Sequence, residues 1–158
     1  MKYNKKGGIG TVFATILGVT ILATIFYHYF FINLDLERYN LLNQYTRDML
    51  LISETKDEIP KNYMIDVKQS LTDRLVKKNG EYIKIYITIN GTKYDVETMP
   101  TKVKTDFGED IEILAEYHFY PQRVDLNKGI VPVKENRGKE IMAVKLKTIS
   151  KNRRTSDG

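Results

Sequence analysis

Apolar positions along this chain follow three successive periods. From Gly7 to Leu34 the sequence reads GGIGTVFATILGVTILATIFYHYFFINL, with no Asp, Glu, Lys or Arg. A bilayer core needs roughly 20 apolar residues as helix, so this run is long enough to cross one. It is too long for the apolar core of a cleaved secretory signal, and its far end is bulky, with Phe26, Tyr27, Tyr29, Phe30 and Phe31. Such rings suit a membrane–water interface, where an apolar body and a polar edge are both satisfied. Beyond Asp35 the apolar residues thin to steps of three and four. Tyr39, Leu42, Tyr45, Met49 and Ile52 share one helical face, while Arg38, Arg47, Asp48 and Glu54 lie mostly off it. The pattern predicts one helix from residue 9 to about residue 57, roughly 70 Å long at 1.5 Å per residue. Its first half would be a transmembrane helix (9–34) and its second an amphipathic stalk (35–59), ended by Ile59-Pro60. A fixed apolar face on the stalk requires something to pack on it.

A second, short helix is expected after Asn62, with Met64, Val67, Leu71 and Leu75 as its stripe and Gly80 as its stop. From residue 81 the period becomes two. In EYIKIYITI, Ile83, Ile85, Ile87 and Ile89 point one way and Tyr82, Lys84, Tyr86 and Thr88 the other. Asn90-Gly91 then signals a two-residue hairpin, since both residues accept positive φ. TKYDVET is the expected return strand, closed by Pro100, and Ile111–Tyr120 is the third strand, closed by Pro121. The segment with Gly129, Pro132 and Gly138 is expected as a loop. IMAVKLKTI is the last strand, with Met142, Val144 and Leu146 inward. The fold class is α+β: a long N-terminal helix, one short helix and an antiparallel sheet of about four strands. The stalk and isoleucine faces can cover each other. Residues 60–150 form the outer domain and 151–158 a flexible basic tail.

Charge gives the orientation. Lys2, Lys5 and Lys6 precede the span with no acid among them, which favours a cytoplasmic N-terminus over residues 1–8 and an extracytoplasmic domain after the helix. The net charge of +5 does not point to nucleic acid. Residues 35–132 carry 14 Lys/Arg against 17 Asp/Glu, and only residues 133–158, with 8 against 3, are basic. Lys145, Lys147, Lys151, Arg153 and Arg154 make either a solvated strand edge or a contact for anionic lipid or cell-wall polymer. The absence of cysteine removes disulfides and thiolate chemistry, so the outer domain must rest on its own core.

The candidates for chemistry each have a plain structural reading. His118 is the one histidine of the outer domain, in a strand whose alternation places it with Glu116 and Tyr120. A lone histidine there is ordinarily structural. No nucleophile elbow, HExxH or phosphate-binding glycine loop is present, and no catalytic residue, cofactor site or metal site is expected. Glu109, Asp110 and Glu112 offer the oxygens calcium takes, without the spacing of a calcium loop, and read better as a solvated acidic turn. Asn90-Gly91-Thr92 fits a glycosylation sequon, but the hairpin turn accounts for Asn-Gly by itself. Within the span, Gly10, Ala14 and Gly18 fall on one face, where small side chains allow close helix–helix approach.

This layout resembles the type IV pilin and pseudopilin plan, and more closely TadE-like pseudopilins and related small membrane proteins of Gram-positive bacteria and their mobile elements. The residues that carry the likeness are Lys5-Lys6-Gly7-Gly8-Ile9-Gly10-Thr11-Val12-Phe13-Ala14 at the front. At the back they are Tyr117-His118-Phe119-Tyr120-Pro121 and the basic exit Ser150-Lys151-Asn152-Arg153. The resemblance implies cutting by a prepilin-type peptidase after Gly8, before Ile9, or after Gly10, before Thr11. The exposed helix would then pack with copies of itself or with major pilin subunits. The family pattern also carries a glutamate shortly after the cut; here GTVFA and the rest of the span hold no acid. The expected function is a non-enzymatic structural or accessory subunit of a surface pilus, secretion or conjugation apparatus. The alternative is a signal-anchored extracytoplasmic binding module that never enters a filament.

Overall fold

The computed structural model describes residues 6–77, 80–125, 129–132 and 138–151. The expected leader residues before Lys6, with Lys2 and Lys5, and the expected tail from Asn152 with Arg153 and Arg154 lie outside them. The chain divides into two compact units, Met1–Arg38 and Tyr39–Gly158. Helix α1 (Lys6–Thr55) contributes to both.

In the first unit α1 is long and apolar enough to span a membrane, and among the described residues none of that apolar window is buried. Val12, Phe13, Leu17, Leu22, Phe26 and Ile32 are all more than half exposed. Four of its polar side chains bond back to the helix itself. Thr15, Thr20 and Thr24 hydroxyls donate to the carbonyls of Thr11, Ile16 and Thr20 at 2.8–2.9 Å, and Asn33 Nδ2 donates to Tyr29 O at 2.8 Å. Such back-bonding is what an apolar surrounding demands, because no water is there to replace it.

In the second unit the remainder of α1 buries Leu42, Thr46, Met49, Leu50 and Ser53. This face is rotated from the expected one: Tyr39 is 43% exposed, and Tyr45 and Ile52 are only half-buried. The cause is that Thr46 and Ser53 need no solvent. Their hydroxyls donate to Leu42 O at 2.6 Å and Met49 O at 2.8 Å, so two small polar residues sit inside. Hydropathy alone does not register that.

The helix stops at Thr55, short of the expected end, and strand β1 (Glu58–Pro60) follows. Pro60 therefore closes a strand and precedes α2 (Lys61–Leu75), rather than ending the long helix itself. In α2 Met64, Leu71 and Leu75 are buried and Val67 is half-buried. The helix ends before Gly80, which instead takes φ +91° in the turn that leads to the sheet. The four-stranded antiparallel sheet contains β2 (Tyr82–Ile89), β3 (Thr92–Asp95), β5 (Asp110–Phe119) and β8 (Glu140–Ile149), in spatial order β3-β2-β5-β8. The β2–β3 turn has Asn90 at φ 47° and Gly91 at φ 82°, the double positive φ expected of Asn-Gly. β3 is shorter than the expected return strand: beyond Asp95 the chain turns, with Met99 N–H bonded to Asp95 O at 2.8 Å. Two further pairs were not anticipated. β4 (Lys102–Lys104) pairs with β1, and β6 (Gln122–Asp125) pairs with β7 (Gly129–Pro132) where a loop was expected.

One face of the sheet is the core. Ile83, Ile85, Ile87 and Ile89 of β2 lie opposite Tyr117, Ala115, Ile113 and Ile111 of β5, all buried. Val144 of β8 is buried with them, and Met142 and Leu146 are half-buried. Leu42, Met49 and Leu50 of α1 and Met64, Leu71 and Leu75 of α2 complete the cluster. Each such side chain is stabilising by about 1.5–3 kcal/mol. Tyr117 reaches furthest: its hydroxyl lies 2.9 Å from Leu75 O and 3.0 Å from the buried Glu81 carboxylate, so the end of α2 is held to the sheet.

The rotated face makes a direct prediction. Thr46→Leu should destabilise the second unit by about 1–3 kcal/mol through overpacking, whereas Tyr39→Ala should change it by less than about 0.5 kcal/mol. Denaturant unfolding of the full chain in detergent, followed by tyrosine fluorescence, measures both. The reverse ranking would restore the tyrosine face as the packed one.

Candidate functional site

Two surfaces stand apart as candidates, one in each unit. In the first, the positions matched to peptidase processing, Gly8, Ile9, Gly10 and Thr11, all lie in the opening turns of α1. Gly10, Ala14 and Gly18 follow along the same helix, and none is buried. A Cβ added at Gly8, Gly10 or Gly18 would meet nothing within 4 Å. Packing among the described residues therefore gives no reason for glycine there. Near the far end of the apolar run, Tyr27 packs on Phe31 at 4.7 Å, with His28 edge-on to Tyr27 at 5.7 Å.

In the second unit the outer sheet face carries rings and cations. Alternation puts Tyr82 and Lys84 of β2 beside His118 and Glu116 of β5. The His118 and Tyr82 rings stack at 4.4 Å with 16° between planes. His118 Nε2 lies 3.2 Å from Glu116 Oε2, so the pairing on one face that alternation implied is present. Lys139 Nζ sits 4.5 Å from the Tyr82 ring centroid and 5.6 Å from that of Tyr120, and Lys84 Nζ is 5.6 Å from Tyr82. His118 is only 9% exposed, held between Tyr82 and Glu116. Further along, Lys93 lies 3.8 Å over the Tyr86 ring. Cations over aromatic faces gain about 0.5–1 kcal/mol each at exposed sites, so these lysines are held in place as well as solvated. The arrangement offers flat rings flanked by ammonium groups, suited to stacking and to anionic groups.

Two carboxylates of the acidic turn, Glu109 and Glu112, are engaged. Glu109 accepts from Asn90 Nδ2 at 2.6 Å and from Asp106 N–H at 2.8 Å, and Asn90 Oδ1 accepts from Asp110 N–H at 3.3 Å. The Asn90 side chain thus locks the hairpin to β5, as a turn residue does. Glu112 sits between Lys145 at 2.8 Å and Lys147 at 2.9 Å. Among the described residues no group of three His, Asp or Glu gathers closely enough to hold a metal ion.

Three of the five basic residues near the C-terminus thereby have acidic partners. Besides Lys145 and Lys147 on Glu112, Lys151 pairs with Glu54 of α1. Glu54 also accepts from Thr148 Oγ1 at 3.0 Å, and its backbone carbonyl accepts from Lys151 N–H at 3.0 Å. α1 has no basic residue in its own last turn, so β8's exit supplies the cation that the helix C-terminus favours. Hydrogen bonds from Lys145 and Lys147 hold the Glu112 carboxyl below the usual range, and those from Lys151 and Thr148 do the same for Glu54. No sequence pattern joined Glu54 to Lys151, because the pair is set by the path of the chain.

No family model, curated protein or solved structure matches the chain.

The depressed carboxyls fix a sign for acid stability. A group whose folded pKa is lowered stabilises the fold above its unfolded pKa, about 4.3 for Glu, and that contribution is lost as pH falls through the folded value. The second unit should therefore lose stability below about pH 4.3. Glu112→Gln should cost up to about 1 kcal/mol at pH 7 and nearly nothing at pH 2–3, since both lysine pairs are partly exposed. Urea titrations of the full chain at the two pH values measure the difference; an equal cost at both would remove the ionic explanation.

Proposed function

We propose that this protein is a non-enzymatic pilin- or pseudopilin-like subunit, structural or accessory, of a surface pilus, secretion or conjugation apparatus. In this reading α1 crosses the membrane with its N-terminus cytoplasmic, and the sheet domain is extracytoplasmic. The observation that carries it is the exposed apolar run of α1, with glycines at Gly10 and Gly18 that no contact among the described residues requires. Lipid accounts for the apolar surface but not for the glycines. A neighbouring helix accounts for both, because small residues let two backbones approach. The partners are then membrane lipid and copies of this chain or major pilin subunits, with a prepilin-type peptidase acting at Gly8 or Gly10.

A second reading, a signal-anchored extracytoplasmic binding module, is favoured by the Tyr82–His118–Lys139 cluster, which stands ready on the outer sheet face. The span also lacks the acid that pilins place after the cut, so processing is the point at which the two readings part.

Mass spectrometry of the chain isolated from its assembled, membrane-bound form decides between them. An N-terminus at Ile9 or Thr11 supports the pilin-like reading, and an intact Met1 in functional material removes the processing route. Gly18→Leu should lower recovery in higher-order complexes roughly tenfold, the equivalent of about 1–2 kcal/mol of lost helix packing. Unchanged recovery would dismiss the small-residue face.

A further inference from the structure

We infer that the free edge of β8 is where two copies of this chain pair, antiparallel, about a two-fold axis at Val144. β8 is the outermost strand of the sheet, ten residues long, and its ladder to β5 is unbroken from Glu140 opposite Phe119 to Ile149 opposite Asp110. Among the described residues no strand pairs with its other side.

Which backbone groups face that side follows from the hairpin. A two-residue turn makes Ile89 and Thr92 a hydrogen-bonded closing pair. The alternation then runs down β2, as Val96 N–H donating to Ile85 O at 3.1 Å shows. Odd-numbered β2 residues thus bond toward β3, and even-numbered ones toward β5. Carried across the register, even-numbered β5 residues bond to β2, in keeping with Asn90 N–H on Asp110 O at 3.1 Å. Odd-numbered β5 residues bond to β8, where they meet Met142, Val144, Leu146 and Thr148. Ile141, Ala143, Lys145, Lys147 and Ile149 therefore present their N–H and C=O groups outward along the edge.

Proteins usually blunt such an edge with proline, a bulge, a short strand or free charge. β8 has no proline, no glycine and no bulge, and its two lysines are drawn over the sheet onto Glu112. The pattern on the strand is also self-complementary in one register. Pairing about Val144 sets Ala143 opposite Lys145 and Ile141 opposite Lys147 of the second copy, and Met142 opposite Leu146 on the inner face. A shift of the axis to Lys145 or Leu146 sets lysine against lysine, which is repulsive. An axis at Ala143 shortens the overlap and opposes Lys139 to Lys147. The Val144 register keeps nearly the whole strand paired with no two like charges directly opposite. Ile141, 58% exposed, then lies along the aliphatic stem of a lysine. Edge pairing does not require α1 to assemble, so it stands independently of the proposed function.

The native chain lacks cysteine, which makes cross-linking a clean readout. Full-length chains bearing Ala143→Cys and Lys145→Cys, mixed in detergent and in lipid nanodiscs, should form a disulfide between the two variants under mild oxidation. Neither variant alone should do so above the level of Lys84→Cys, a site on β2 away from the edge, because like positions are then diagonal and beyond disulfide reach. Adding Ile141→Lys, which places a lysine opposite Lys147 of the second copy, should lower the yield at least about fivefold while thermal unfolding is unchanged. Cross-linking no greater than that of Lys84→Cys would overturn the inference, as would a yield indifferent to Ile141→Lys. Cross-linking of Ala143→Cys or Lys145→Cys alone would overturn the register. Gly18→Leu separates the two proposals: loss of helix assembly with the mixed disulfide retained supports edge pairing alone.

Discussion

A sheet with isoleucine at every second position of its second strand must have that face covered, and the second unit is arranged around this need. Ile83 to Ile89 and the facing row Ile111 to Tyr117 present a continuous apolar surface. Leaving it in water would forfeit the burial that offsets the ordering of a small domain. The last turns of α1 and the inner stripe of α2 supply the cover. Ala115, the one small residue in the β5 row, sits opposite Ile85, between Ile113 and Tyr117. The face is also why α2 must be tied down, and the Tyr117 hydroxyl at Leu75 O does this with a polar bond set inside apolar packing.

The end of α1 is the second point on which the arrangement turns. A helix leaves its last carbonyls without intrahelical partners. Here Lys56 O accepts from Thr105 Oγ1 at 3.0 Å, and Glu54 O accepts from Lys151 N–H. Immediately beyond, Asp57 O accepts from Thr105 N–H at 2.9 Å and Lys61 N–H donates to Thr101 O at 2.9 Å, bracketing the β1–β4 pair. Lys102 on Glu58 at 2.6 Å adds an exposed ion pair that holds that carboxyl below its usual range. The helix terminus is thus capped by segments about fifty and one hundred residues away rather than by its own sequence.

That division separates what could be read in advance from what could not. The long apolar run, the α2 stripe, the β2 alternation and the Asn90-Gly91 turn are local patterns, and each element appears where its pattern lies. The β1–β4 pair was not legible because EIP and KVK are three residues each, too short for a period, and exist by pairing with one another. The rotation of the α1 face was hidden by Thr46 and Ser53, whose polarity is cancelled by back-bonding. At the outer sheet face, alternation brought His118 to Glu116, but the Lys139 contact with Tyr82 depends on how β5 returns to β8. The basic exit looked like surface charge, and its acidic partners Glu54 and Glu112 come from elements distant in sequence.

The bond between Glu54 and Lys151 also sets a clock. A ribosome works from the N-terminus, so the helix end, the β1–β4 pair and the isoleucine face are made before the strand that seals them. At roughly 5–20 residues per second, residues 56–151 take about 5–20 s to follow. From the completion of β5 until β8 follows, β5 has an open edge and Glu112 lacks its lysines, and over the whole interval the last carbonyls of α1 lack Lys151. β8 and its exit at Lys151 are therefore the step that commits the domain, and a chain halted before them would present apolar strands to whatever lies nearby.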